Sequence, residues 1–264
     1  MKNYGDKKYW ESRYLSQKGT TFDWFQDYDS IKPLLEKFSI NKDARILNIG
    51  CGNSELGEKM FEDNYKHIYN IDICENVIEY MKERSKNKNG LYYNVMDVRN
   101  MPYKNEIFDL VIDKGTMDTI LCGENNFLNI AKTTKEISRV LKTGGIYLIL
   151  SYAKPEERIW HLKREHLSFD IKVFTIIRKE VKGNNVQYNE NYGQNNEYVN
   201  EKIHYGYICK KMPEANKNIK NYMNVCNSIE EMIIKNKQIE EDSRKNENIG
   251  SKSNNINFNT NIGN

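Results

Sequence analysis

The chain has only four prolines and five cysteines in 264 residues, and no long apolar run. The cysteines, at 51, 74, 122, 209 and 226, form no CxxC pair and have no histidine cluster beside them. That excludes a disulfide framework of the secreted kind and argues against structural zinc, so no metal is expected. Nothing approaches the ~18 to 20 apolar residues that a membrane span needs. The first residues, Met-Lys-Asn-Tyr-Gly-Asp, lack the apolar core of a signal peptide. The expectation is a cytosolic or nuclear protein, with cytoplasmic preferred. A dominant charge is also missing: 40 Lys and Arg face 37 Asp and Glu, a net +3 too mild to indicate a nucleic-acid partner. There is no internal repeat, and nothing bears on oligomeric state.

What is present falls into three parts. Residues 1–40 are rich in aromatic and charged side chains, with Tyr9, Trp10, Arg13, Tyr14, Phe22, Trp24, Phe25 and Tyr28 close together. Asp29-Ser30 is positioned to cap a short helix through Leu34, Leu35 and Phe38, with Pro33 tolerable only in its first turn. Residues 41–212 alternate apolar strands with helical periods. Strands are expected at Ala44–Ile49, His67–Ile71, Leu91–Met96, Phe108–Ile112 and Ile146–Leu150. Helices are expected at Ser54–Asn64, around Val77–Met81 and at Phe127–Leu141, the last stopped by Gly144-Gly145, with another starting at Pro155. Two further strands, Phe169–Ile177 and Ile203–Cys209, have no helical period between them and should pair as an antiparallel hairpin at the sheet edge. The fold class is α/β, a doubly wound and mostly parallel seven-stranded sheet. Residues 183–200 read as a flexible, Asn-rich insertion. Residues 213–264 read as a largely disordered tail with one short amphipathic helix near Ile229–Ile239.

Three strand ends carry chemistry. The first strand runs into Gly50-Cys51-Gly52-Asn53, and a Gly-x-Gly turn at that place lets backbone approach a ligand closely. A dinucleotide site would want a third glycine at position 55, but Glu55 stands there, and a carboxylate is a poor neighbour for a pyrophosphate. A cofactor without phosphate meets no such obstacle. Asp72, at the end of the second strand and 22 residues after Gly50, can accept hydrogen bonds from both hydroxyls of a ribose, or cap the helix that follows. Asp97-Val98 ends the third strand, where a ligand's base would lie. All three positions share the carboxyl edge of one sheet, along which ligands bind.

These residues, together with the run Asp97–Tyr103 leading to Phe108-Asp109-Leu110-Val111, resemble the seven-stranded, Rossmann-like class of S-adenosylmethionine-dependent methyltransferases. Four blocks in order carry a narrower likeness: Lys8–Tyr14, Phe22-Asp23-Trp24-Phe25, Gly50–Ser54 and Asp113-Lys114-Gly115-Thr116-Met117-Asp118 are similar to the lysine methyltransferases of translation elongation factor 1-alpha. The resemblance implies S-adenosylmethionine as cofactor, S-adenosylhomocysteine as product, and a protein substrate. Its cofactor residues would be Trp10, Arg13, Tyr14, Trp24, Gly50, Gly52, Asn53, Asp72, Ile73, Asp97, Val98 and Lys114. Arg13 would meet the methionine carboxylate, and Trp10, Tyr14 and Trp24 would close over the cofactor or pack as a lid without touching it. Asp113 and Lys114 are the catalytic candidates, with Asp118 and Tyr152 beside the acceptor channel; helix capping is the competing role for Asp113 and Asp118.

Methyl transfer draws much of its rate from orientation, up to roughly 7 to 11 kcal/mol. A lysine acceptor, at its ordinary pKa near ~10.4, must also lose a proton. Cys51 has no histidine in its motif and reads as a packed residue, not a nucleophile. The same fold also serves small-molecule and nucleic-acid methyltransferases, but no Asn-Pro-Pro-Tyr-like motif follows the fourth strand, which weighs against a nucleic-acid acceptor. A non-catalytic cofactor-binding scaffold is the alternative from another class. The tail balances seven basic residues against seven acids after Pro213 and gives no pointer to a partner.

Overall fold

The computed structural model describes residues 3–177, 187–189 and 203–213, all within the compact unit Met1–Ile219. Short apolar strands pair in parallel, most of them joined by helices that return the chain to the same edge, with one irregular crossover over residues 96–107. They are β1 (Arg45–Ile49), β2 (His67–Asp72), β3 (Leu91–Val95), β4 (Phe108–Lys114) and β5 (Leu141–Ser151). The chain then turns through β6 (Phe169–Ile177), β7 (Gln187–Asn189) and β8 (Ile203–Lys211). The sheet order is β3-β2-β1-β4-β5-β8-β6-β7. Strands β1 to β5 are parallel, and β8 inserts antiparallel between β5 and β6. This is the expected doubly wound sheet with its antiparallel hairpin. The three-residue β7 extends the outer edge from within the segment read as a flexible insertion. The rest of that segment, the tail beyond residue 213 and the helix expected near Ile229–Ile239 lie outside the described residues.

Strand alternation gives the sheet two apolar faces. Even-numbered residues Ile46, Ile68, Leu110, Ile112 and Leu148 point to one face. There they meet α2 (Tyr28–Lys37), α3 (Leu56–Glu62) and α4 (Glu75–Arg84), through Ile31, Leu35, Met60 and Ile78 among others. Odd-numbered Leu47, Ile49, Val111, Tyr147 and Ile149 point to the other. That face is covered by α5 (Thr116–Leu121), α6 (Asn126–Val140) and α7 (Pro155–Leu162).

The N-terminal helices depart from the sequence expectation. α2 is capped by Asp27, whose side chain accepts from Ser30 N, so it starts earlier than a cap at Asp29-Ser30 requires. Pro33 consequently sits in the helix interior, where it leaves one carbonyl without its helical donor. α1 (Lys7–Ser16) has no buried residue and no apolar stripe, which is why periodicity does not reveal it. It is held by Trp10 and Tyr14, which pack half-buried against the core, and by polar contacts at its start and one flank. Asp6 caps Lys8 N at 2.9 Å, and Asn76 Nδ2 on α4 donates to Glu11 O at 2.8 Å.

β4 runs two residues beyond its expected end, to Lys114, and this decides where two candidate residues point. Asp113 shares the face of Val111 and is fully buried. Its carboxylate accepts from Tyr147 Oη at 2.8 Å, Thr116 N at 2.8 Å and Met117 N at 3.2 Å, so it caps α5, a helix too short to show a period. Burial pushes the carboxyl up to about 7, the bonds from Tyr147, Met117 and Thr116 pulling the other way. An acid raised in the fold retains a proton that the unfolded chain has released. Its contribution to stability is therefore complete below the ordinary carboxylate pKa of 3.8 and is lost as pH rises through about 7. Urea unfolding of Asp113→Asn across that window will lack this fall when compared with the wild type. Asp113→Ala, which strands the Tyr147 hydroxyl and two helix amides, will cost roughly 2 to 4 kcal/mol.

Candidate active site

The carboxyl ends of β1, β2, β3 and β4 open into a cleft of ≈ 550 Å³. Its floor is the turn after β1. Gly50 has φ 55° and Gly52 φ 50°, a region that side chains rarely adopt. Space is as restrictive as the dihedral: a Cβ on Gly50 would stand 2.1 Å from Thr116 Oγ1, and one on Gly52 would stand 2.6 Å from Tyr14 Oη. Thr116 Oγ1 itself donates to Ile49 O at 2.9 Å, tying the β1 turn to the start of α5.

Asp72 organises this edge. One carboxylate oxygen accepts from Gly52 N and the other from Cys74 N, both at 2.9 Å. The residue thus holds the β1 turn and caps the entry to α4 at once, and the two roles read from the sequence coexist. Burial raises the carboxyl above its ordinary value, with the bonds from Cys74 and Gly52 opposing. Tyr14 lies beside it. Burial and the neighbouring Asp72 drive that phenol far above its usual range, so it stays a neutral hydroxyl.

At the third strand end Asp97 is gripped by Arg99, whose Nε and Nη2 reach its two oxygens at 2.6 to 3.0 Å, while Arg99 Nη1 donates to Asn129. Burial raises the Asp97 carboxyl, but the Arg99 hydrogen bonds and charge outweigh it and leave the group below its ordinary value.

The N-terminal segment covers the cleft with rings. Trp10 donates from Nε1 to Tyr4 O at 2.6 Å, and its ring contacts those of Tyr14 and Trp24 at 5.9 and 6.1 Å. Arg13 lies among these rings, its guanidinium 5.0 Å from the centroids of Phe22 and Trp24 and 5.4 Å from that of Trp10. The structure therefore spends Arg13 on stacking within the aromatic cover, away from the cleft lining.

The cover is latched from below. Lys114, on the opposite face of β4 from Asp113, reaches Asp23, which also accepts from Ser54 Oγ. Burial lowers the Lys114 pKa and the Asp23 charge opposes that shift. Asn53 completes the latch: its Nδ2 donates to Thr20 O at 3.0 Å and its carbonyl accepts from Phe22 N at 3.2 Å.

Of the residues expected from the sequence, Trp10, Tyr14, Trp24, Gly50, Asp72, Ile73, Asp97, Val98 and Lys114 come together on the cleft wall. Arg13, Gly52, Asn53 and Asp113 do not line it; Gly52 and Asn53 shape it through their backbone and latch contacts. Asp118 and Tyr152 are on the wall too, with Asp118 already accepting from Arg158, Ser151 Oγ and Tyr152 N. Sequence reasoning missed Tyr4, Gly5, Phe25, Met96, Thr116 and Arg158. Only Phe25 and Thr116 carried a signal, as members of quoted blocks. Cys51 is buried with its thiol pushed up by burial, as a packed residue should be. No group of three or more His, Cys, Asp or Glu side chains able to hold a metal occurs among the described residues. No helix among them is long and apolar enough to cross a membrane.

The latch gives a stability test. Asp23→Asn removes the counter-charge from a buried ammonium and will cost roughly 3 kcal/mol in urea unfolding. Lys114→Met leaves the more exposed Asp23 with Ser54 and will cost less.

A family model described as a methyltransferase domain matches residues 40–249. The mouse eEF1A lysine and N-terminal methyltransferase is 35% identical over 170 residues, which cover 62% of this chain and 24% of that protein. The mouse EEF1A lysine methyltransferase 4 is 30% identical over 178 residues, 64% of this chain and 69% of that protein. The chain thus spans well under two thirds of the length of the first of these. A solved structure from work on the conversion of a disulfide bond into a thioacetal group during echinomycin biosynthesis shares the fold, with a TM-score of 0.55 at 15% identity over 83% of this chain and 98% of that one. The chain belongs to the class I S-adenosylmethionine-dependent methyltransferases, and within them it resembles the lysine methyltransferases of elongation factor 1-alpha.

Proposed function

We propose that this chain transfers a methyl group from S-adenosylmethionine to a lysine side chain of a protein such as elongation factor 1-alpha, in the cytoplasm. The observation that carries the cofactor half is the Asp72 carboxylate, buried on the cleft wall and bound to Gly52 N and Cys74 N with acceptor capacity left over. The acceptor half rests on the names of the two mouse relatives.

The residues present fit the cofactor. Gly50 lines the floor, and the missing side chains at 50 and 52 let Thr116 and Tyr14 close in on the turn that forms it. Asp72 takes the ribose hydroxyls, and Ile73 and Val98 border the base. Asp97 shares its carboxylate with Arg99, which fixes its direction and keeps it ionised as an acceptor for an amino group. The bound cofactor supplies an electrophilic methyl on a sulfonium. A sulfonium is cationic, and the aromatic rings of Trp10 and Trp24 suit such a charge. Glu55, which disfavours a phosphate ligand, is harmless here because it is paired with Arg84 at 2.7 Å.

The chain's own part in the reaction is orientation and exclusion of water. The ring cover closes one side, and Lys114 is held away from the acceptor by Asp23. Asp113 is no base for the acceptor, since it is buried beneath the strand and already takes three donors. The lysine's proton leaves to solvent through the open end of the cleft beside Tyr152, which is 69% exposed.

Incubation with labelled S-adenosylmethionine and elongation factor 1-alpha will place label on a lysine. Gly52→Ala, which drives a methyl group into Tyr14 at an unfavourable dihedral, will lower that transfer at least about 100-fold while the chain stays folded. Label appearing only on small molecules or nucleic acid in a cell extract would overturn the acceptor assignment.

A further inference from the structure

The sheet leaves one of its margins open. β3 stands first in the strand order, and no strand among the described residues covers its outer side. Its inner side is fixed by bonds at both ends: Ile68 N donates to Gly90 O and Met96 N to Asp72 O, both at 2.9 Å. Asn70 Nδ2 adds a bond to Tyr92 O at 3.1 Å. The backbone groups of residues 90, 92 and 96 therefore face β2. Direction alternates along a strand in a parallel pair, so the N–H and C=O of Tyr93 and Val95 face outward.

Edge strands normally carry a device against further pairing: a charge, a proline, a bulge or a short length. The segment Leu91-Tyr92-Tyr93-Asn94-Val95 has no charge and no proline, and its register with β2 is unbroken. Val95 is 46% exposed and Tyr92 41%. At the opposite margin of the sheet β7 is only three residues long.

Between the last turn of α4 and the first half of β3, at this open margin, lies a groove of ≈ 450 Å³. Its wall includes Lys82, Lys86 and Lys88 and no Asp or Glu. Lys88 is held by the buried Glu58. Lys86 has an exposed pair with Glu83, of the kind that contributes little and is readily exchanged. Lys82 has no ion pair among the described residues. The groove thus offers ammonium groups to a ligand that brings carboxylates.

We propose that the β3 edge and this groove form a docking site for an extended acidic segment of a partner protein, which joins the sheet as an added strand. Main-chain bonds to Tyr93 and Val95 hold the segment, and its carboxylates meet Lys82 and Lys86. A second copy of this chain is the poorer occupant, because its own β3 brings no carboxylate to the lysines. The groove lies at the start of β3 and the cofactor cleft at its end, so the site stands whichever acceptor the cleft serves.

The test uses the full chain and three fluorescein-labelled probes: a short peptide of alternating threonine and glutamate, the same peptide with lysine for glutamate, and the glutamate peptide with its amides N-methylated. Fluorescence anisotropy will show the first binding at least about tenfold more tightly than either control. Lys82→Glu combined with Lys86→Glu, both on the surface, will erase that preference. Val95→Pro deletes an outward N–H that no ladder bond uses, and will weaken binding about tenfold with the melting temperature kept. Hydrogen exchange at the Tyr93 and Val95 amides will slow when the glutamate peptide is added. No binding, equal binding of the glutamate and lysine peptides, or binding untouched by N-methylation overturns the proposal. So does sedimentation that finds a dimer of this chain dissolved by Val95→Pro, which would give the edge to a second copy.

Discussion

The arrangement hangs on one carboxylate bound by two backbone amides. Asp72 stands where β2 ends, and its oxygens take Gly52 N from the neighbouring turn and Cys74 N from the helix entry. Both bonds are to a buried anion, so both are of the stronger, charge-assisted kind. They fix Gly52 in the left-handed region, and that in turn brings Tyr14 and the N-terminal cover down onto the floor. Burial raises the carboxyl and the amides counter it.

A second constraint is strand alternation. Asp113 and Lys114 are adjacent in sequence yet serve opposite layers, because successive side chains on β4 point to opposite faces. Asp113 builds the α5 cap under Tyr147. Lys114 reaches over the other face to Asp23 and latches the ring cover. Both are buried polar groups that hold the cleft's shape.

The sheet was largely legible because it is written in strong signals. Runs such as Ile46–Ile49 and Phe108–Ile112 are apolar on both faces, and Gly50, Asp72 and Asp97 stand at successive strand ends. The hairpin of β6 and β8 was legible from the lack of any helical period between them. The rings of the N-terminal cover were legible too, but the helix that carries Trp10 and Tyr14 was not. α1 has no fully buried residue and only Trp10 and Tyr14 packed against the core, so its helix also depends on a cap at Asp6 and a contact with Asn76, neither of which has a periodic signature. The position of Arg13 escaped for a related reason: a guanidinium serves a carboxylate or a ring face equally well, and only the placement of Trp10, Phe22 and Trp24 decides between them. Phe25 escaped because a positive φ at a bulky residue is a property of the folded chain.

The most direct test of this account is calorimetric titration of S-adenosylhomocysteine into Asp72→Asn beside the wild type. An asparagine fills the same space but presents an amide nitrogen to one of the two backbone donors, so one bond of the pair must break. The account predicts at least a ~100-fold loss of affinity, about 2.7 kcal/mol, with the chain still folded. Unchanged affinity would mean that the Asp72 carboxylate neither builds the turn nor meets the ribose, and the site as described here would be wrong.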